Sequence, residues 1–124
     1  MKIKVLILIA SIFVILGSCT KDVLEPKIVV VVPNTSAAFS TDVYPIFASK
    51  GCTVCHPSAG GLSLTGGAAA ARTSLIAVGA VIANSSTTSK LYTKFKGVSH
   101  NGKTLSAAEL SNIKGWIDGG AKNN

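Results

Sequence analysis

The chain has 124 residues, 48% of them apolar, and a formal net charge of +7. That length allows one small domain with one modest core, and four Phe, two Tyr and one Trp leave few large side chains to fill it. The lysines are scattered, with no basic block and no interleaved aromatics, which argues against a nucleic-acid surface and leaves a solvated face or a basic rim for acidic partners.

Residues 1–18 read as an export leader. Lys2 and Lys4 give a positive start, and Val5 to Leu16 form an apolar run that suits a signal peptide and falls short of the ~20 residues needed to span a bilayer. Leu16-Gly17-Ser18-Cys19 resembles the lipobox of bacterial lipoproteins. That resemblance implies cleavage before Cys19 and lipidation of Cys19, with two or three acyl chains as a stable membrane anchor. The alternatives are an ordinary signal peptide with an incidental cysteine, or an uncleaved anchor. Thr20 rather than Asp follows the cysteine, which by resemblance to the proteobacterial sorting rule points to the outer membrane, with the protein facing the periplasm or the cell surface. Residues 19–38 lack periodicity and carry Pro26 and Pro33, so they read as a tether; Ile28–Val32 is either one extended segment or a strand.

From Phe39 to Lys50 the spacing of Val43, Ile46 and Phe47 predicts a first helix, capped by Ser40, Thr41 or Asp42, with Pro45 in its first turn. Gly51 releases the chain into Cys52-Thr53-Val54-Cys55-His56, the C-x-x-C-H pattern of c-type haem attachment. On a helical turn, positions i and i+3 share a face, so both thiols reach the two vinyl groups on one porphyrin edge, and His56 follows as an iron ligand.

Three rivals fit this pattern less well. A zinc site built from Cys52, Cys55, His56 and His100 would force the adjacent Cys55 and His56 into one tetrahedron. A redox dithiol lacks the strand–helix alternation of its usual context. A disulfide between residues three apart would close a strained loop. Cysteine arithmetic agrees with haem: of three cysteines, Cys19 goes to the lipid and two to the motif. One covalent haem c is therefore expected.

Pro57 to Gly67 reads as a glycine-rich loop whose Leu62 and Leu64 could cover a haem face. Residues 68–78 predict a second helix with Leu75 and Ile76 inward, and residues 88–96 a third with Leu91, Tyr92 and Phe95 as its apolar side. Residues 97–104 form a loop toward the other side of the iron. Ser106-Ala107-Ala108-Glu109 is a capping box; it opens a last helix whose apolar stripe is Leu110, Ile113, Trp116 and Ile117, and Gly119-Gly120 stops it. Lys114 and Asp118 fall on its wet face. Trp116 is expected to pack against the Tyr44/Phe47 side. No strand pairing is evident, so the fold class is all-α.

Residues 39–122 resemble the small class I-like cytochrome c domains of bacterial lipoproteins in Bacteroidetes and Planctomycetes. The resemblance rests on VYPIF before the motif, CTVCH itself, GGLSL after it and LSAAELSNIKGWIDGGA at the end. It implies terminal helices crossing beside the haem. Many relatives supply a distal Met from the loop before the last helix, but the only methionine here is Met1, which leaves with the leader. His100 in that loop is the natural sixth ligand. The alternatives are a loop His that bonds a propionate or faces solvent, with five-coordinate iron or with Lys94, Lys96, Lys103 or water as ligand.

Two functions follow as expectations. Six-coordinate iron implies a membrane-anchored mono-haem electron-transfer protein serving redox partner proteins, and not an enzyme. Five-coordinate iron implies binding of a small gas or reaction with peroxide. Asp42, Glu109 and Asp118 read as caps and surface charges, so no catalytic residue is assigned.

Overall fold

The computed structural model describes residues 37–124; the expected export leader, the expected lipidation of Cys19 and the expected tether as far as residue 36 lie outside the described residues. Among the described residues the secondary structure is helical, with no strand and a single isolated bridge pair, His100 with Lys103. None of these helices is long and apolar enough to cross a membrane.

Proline shapes the first element. It has no N–H, and its ring crowds the carbonyl four residues back, so an α-helix does not run smoothly through it. A wide turn over Phe39–Val43, closed by the Tyr44 N–H donating to the Phe39 carbonyl, carries the chain to Pro45. Pro45 then falls in the opening turn of α1 (Tyr44–Ser49). Of the three candidate caps, Asp42 acts, accepting the Ala38 N–H at 2.7 Å from inside the turn while Ala38 holds the N-cap position. Val43, Ile46 and Phe47 are buried as their spacing requires. Gly51 at φ +65° turns the chain into α2 (Cys52–Cys55), a left-handed conformation that glycine adopts without steric cost.

After a short 3₁₀ turn over Ala59–Gly61, the Leu64 N–H donates to the His56 carbonyl at 2.7 Å and holds the glycine-rich loop against the motif. Next comes α3 (Ala68–Ala77), which buries Ala71 and Leu75, one turn apart. Ile76 was expected inward and is instead exposed. The run of alanines is apolar all round, so the sequence carries no phase, and the Ala71/Leu75 pair sets the face.

The helix expected over residues 88–96 is regular only in α4 (Lys90–Thr93), and hydrogen-bonded turns continue it to Lys96. The physical reason lies upstream. The buried Ser89 hydroxyl donates to the carbonyls of Ser85 and Ile82 and accepts the Ile82 N–H, which holds Ser89 in extended backbone and delays the helix to Lys90. Leu91, Tyr92 and Phe95 are buried as expected.

The last helix, α5 (Ala107–Asp118), opens with the full capping box: the Glu109 N–H donates to Ser106 Oγ and the Ser106 N–H to the Glu109 carboxylate. Its buried face is Ile113, Trp116 and Ile117, with Leu110 half-buried. Phe39 links Trp116 to the Tyr44/Phe47 side, with its ring 4.6 Å from Trp116 and 6.2 and 6.3 Å from the other two.

The chain's end is tied into the same corner. Trp116 Nε1 donates to the Lys122 carbonyl, Arg72 Nε to the Ala121 carbonyl, and the Ser40 and Phe39 N–H groups to the backbone and side-chain oxygens of Asn124. Ala37 is buried and Asn124 is hydrogen-bonded to Phe39, so both take part in this packing.

Candidate functional site

A cleft of about 300 Å³ opens on α2. That is the lower end of the volumes of small-molecule sites. Its inner wall is apolar, made by Leu64 and Leu75 from the loop and α3 and by Leu91 and Phe95 from α4 and its tail. Leu62 lines it too, so both leucines singled out in the glycine-rich loop face the cleft.

One side of the cleft is the C-x-x-C-H turn. Cys52 and Cys55 are free thiols, Cys52 half-buried and Cys55 exposed. Burial pushes the Cys52 thiol up, with Lys103 opposing that rise. Between them Val54 points outward and is 79% exposed, so the motif lies at the surface. His56 Nδ1 is 3.1 Å from the Ala59 carbonyl. A carbonyl only accepts, so Nδ1 carries a proton and donates, and in the neutral imidazole the lone pair then lies on Nε2. This bond to the main chain fixes the tautomer that a metal-binding imidazole needs.

The opposite side is a tight hairpin. His100 and Lys103 exchange both backbone hydrogen bonds, at 2.9 and 3.0 Å, around Asn101 (φ +49°) and Gly102 (φ +72°). Two successive positive φ values make this a type I′ turn, for which Asn-Gly is the preferred pair. Directly paired residues point to the same face, and both His100 and Lys103 line the cleft. The edge of Phe95 backs the His100 ring at 5.7 Å. Asn101 Nδ2 donates to Cys55 Sγ at 3.7 Å, joining the hairpin tip to the motif.

The two imidazoles therefore share one cleft. Their ring centres are 6.2 Å apart and their planes lie within 18° of parallel. Two imidazoles bound through nitrogen to opposite sides of one metal, each about 2.0–2.1 Å from it with the ring centre about 1 Å farther, stand with their centres about 6 Å apart. The spacing is of that size. Among the described residues no group of three or more His, Cys, Asp or Glu side chains is placed to hold a metal ion.

Of the alternative sixth ligands, Lys94 and Lys103 line the cleft and Lys96 is not among its lining residues. Sequence reasoning gave no role here to Lys90, which also lines it, or to Asn101. The Asn-Gly pair was the available signal for the hairpin, and it went unread because no alternating strands flank it.

Comparison with protein-family models, with curated proteins and with solved structures returns no match.

Proposed function

We propose that this chain is a mono-haem c-type cytochrome that carries electrons; Cys52 and Cys55 would attach the haem as thioethers, and His56 and His100 would ligate its iron. The supporting observation is the facing His56–His100 pair, 6.2 Å apart in an apolar cleft that also holds both thiols of the C-x-x-C-H turn. Haem bound there would supply one-electron chemistry at iron. Each residue has a part in it. The thiols would fix one edge of the ring, the Ala59 carbonyl orients His56, and Phe95 backs His100.

Leu64, Leu75 and Leu91 would exclude water from the deep side of a bound haem. Cys55 and Val54 are exposed, so a haem edge attached there would be open to a redox partner protein. The all-α arrangement, with the Phe39 turn packed on α5, agrees with a small cytochrome c-like domain. As a lipoprotein anchored through Cys19 it would serve partners at a bacterial membrane.

The test is expression of the full chain in a host that attaches haem during export. Covalent haem in the wild type and its loss in C52A/C55A are expected, along with a low-spin reduced spectrum that resists added CO. A haem-free protein would overturn the proposal. Prompt, complete CO binding would transfer it to a five-coordinate haem that takes a small gas or peroxide. Fractionation of wild type and C19S tests the anchor; C19S should leave the membrane fraction.

A further inference from the structure

Three lysines, Lys90, Lys94 and Lys103, line the cleft, and no Asp or Glu does. The ion pairs among the described residues use other cations, Lys50 with Glu109 and Lys114 with Asp118. An apolar cavity with a wholly cationic border favours an amphiphile whose polar part is anionic, because an apolar body fills the wall and an acid satisfies the rim.

The three lysines divide by position. Lys103 belongs to the thiol side: its Nζ lies 3.5 Å from the point a Cβ on Gly51 would occupy, and it faces Cys52. Lys90 and Lys94 stand one helical turn apart on α4 and its tail, on a shared face, with Leu91 and Phe95 beneath. That helix packs on α5. A haem gripped through its vinyl groups presents its two propionates on the opposite edge.

We infer that Lys90 and Lys94 form a carboxylate subsite of the cleft that holds the two haem propionates. This rests on the haem reading above. The other titratable groups lining the cleft are Cys52, Cys55, His56, His100 and Lys103, and none of them is an acid that could compete for the two ammonium groups. Each ammonium favours the ionised propionate beside it and so keeps its protonation at lower pH. Ionised propionates in turn stabilise ferric iron, so the reduction potential falls as they lose their protons.

The experiment is a redox titration of the purified, haem-loaded chain from pH 4 to 9, comparing wild type, K90Q/K94Q and K96Q. Lys96 is exposed and outside the cleft, so K96Q removes a neighbouring charge without touching the subsite. In K90Q/K94Q the pH break in potential should move up by about one unit, and in K96Q it should stay in place. Redox-difference infrared spectra at pH 7 give a second readout, in which the propionate carboxylate bands shift in the double variant alone.

A break and bands that match wild type, or that K96Q moves equally, would overturn the subsite and leave the haem proposal standing. Lysines that instead meet an acidic partner protein would give that same result, since no partner is present. A chain that purifies without haem would overturn both.

Discussion

Asn101 holds the hairpin that carries His100 against Cys55, its side-chain amide donating to Sγ at 3.7 Å while its own backbone sits at φ +49°. These two features make separable predictions. Asn and Gly both tolerate the left-handed conformation, whereas Ala there costs about 1 kcal/mol. N101G should therefore keep the turn and lose only the latch, and N101A should lose both. In thermal melts N101A should fall by about 4–8 °C and N101G by less. In the haem-loaded protein both should bind exogenous imidazole faster than wild type. Equal melting of N101A and N101G would remove the turn strain from the account.

The Phe39 ring bridges Trp116 to Tyr44 and Phe47, and it is fully buried. Truncation at such a site removes both burial and packing, and F39A should cost about 3–5 kcal/mol. Urea unfolding would read this as a lower midpoint with an unchanged slope. F39L, which refills most of the volume, should recover much of the loss. A midpoint unaltered in F39A would show that the two ends of the domain are held by something else.

The two ends of the domain were legible to different degrees. The last helix could be read because its cap, apolar stripe and glycine stop all agree, and each is a local rule. The C-x-x-C-H turn was legible for the same reason, since one helical turn fixes its geometry. The phase of α3 was not legible, because a run of alanines has no preferred face. The start of α4 was hidden by Ser89, whose hydroxyl serves backbone groups as far back as Ile82. Phe39 stands four residues before Val43 and in step with Ile46 and Phe47, but its place between Trp116 and the Tyr44/Phe47 side depends on the last helix, far away in sequence. Such partners are set by tertiary contact, which a local window does not contain.

The capping box gives a direct check on local reading. Ser106 Oγ accepts the Glu109 N–H, and the Glu109 carboxylate also pairs with Lys50 at 3.0 Å. Replacing an N-cap serine by alanine costs about 1 kcal/mol. S106A should lower the melting temperature by about 4–8 °C. S106D, which restores an acceptor at the cap, should recover most of that loss. If S106A melts like wild type, α5 is held by packing alone.

Asp118 was read as a wet-face residue, yet it accepts the backbone N–H and hydroxyl of the buried Ser86 as well as the Lys114 ammonium. Partial burial raises its carboxyl, but the bonds from Lys114 and Ser86 outweigh this and hold it below its ordinary value of 3.8. A carboxyl lowered on folding contributes stability that is fully present above its unfolded value and is lost as pH falls through the folded one. D118N, which lacks that contribution at every pH, should be about 1–2 kcal/mol less stable than wild type at pH 7. The gap should narrow steadily once the pH drops below about 4. Melting curves at pH 7, 4 and 2.5 check the sign, and a gap that widens on acidification would contradict it.

His100 decides what the site can do, and its replacement by two residues separates ligation from packing. On the haem reading, H100A should lose the low-spin spectrum and gain prompt CO binding, because the hairpin then offers no imidazole. H100M keeps a flexible donor of similar reach in the same place, and thioether ligation raises the potential relative to imidazole. H100M should therefore remain low-spin with a higher reduction potential than wild type. A low-spin spectrum unchanged in H100A would move the sixth ligand to Lys94 or Lys103, the two candidate lysines that line the cleft. Lys103 is directly paired with His100 across the turn, so H100A/K103Q is the variant that separates them. Persistence of the spectrum there would leave Lys94, and its loss would assign Lys103.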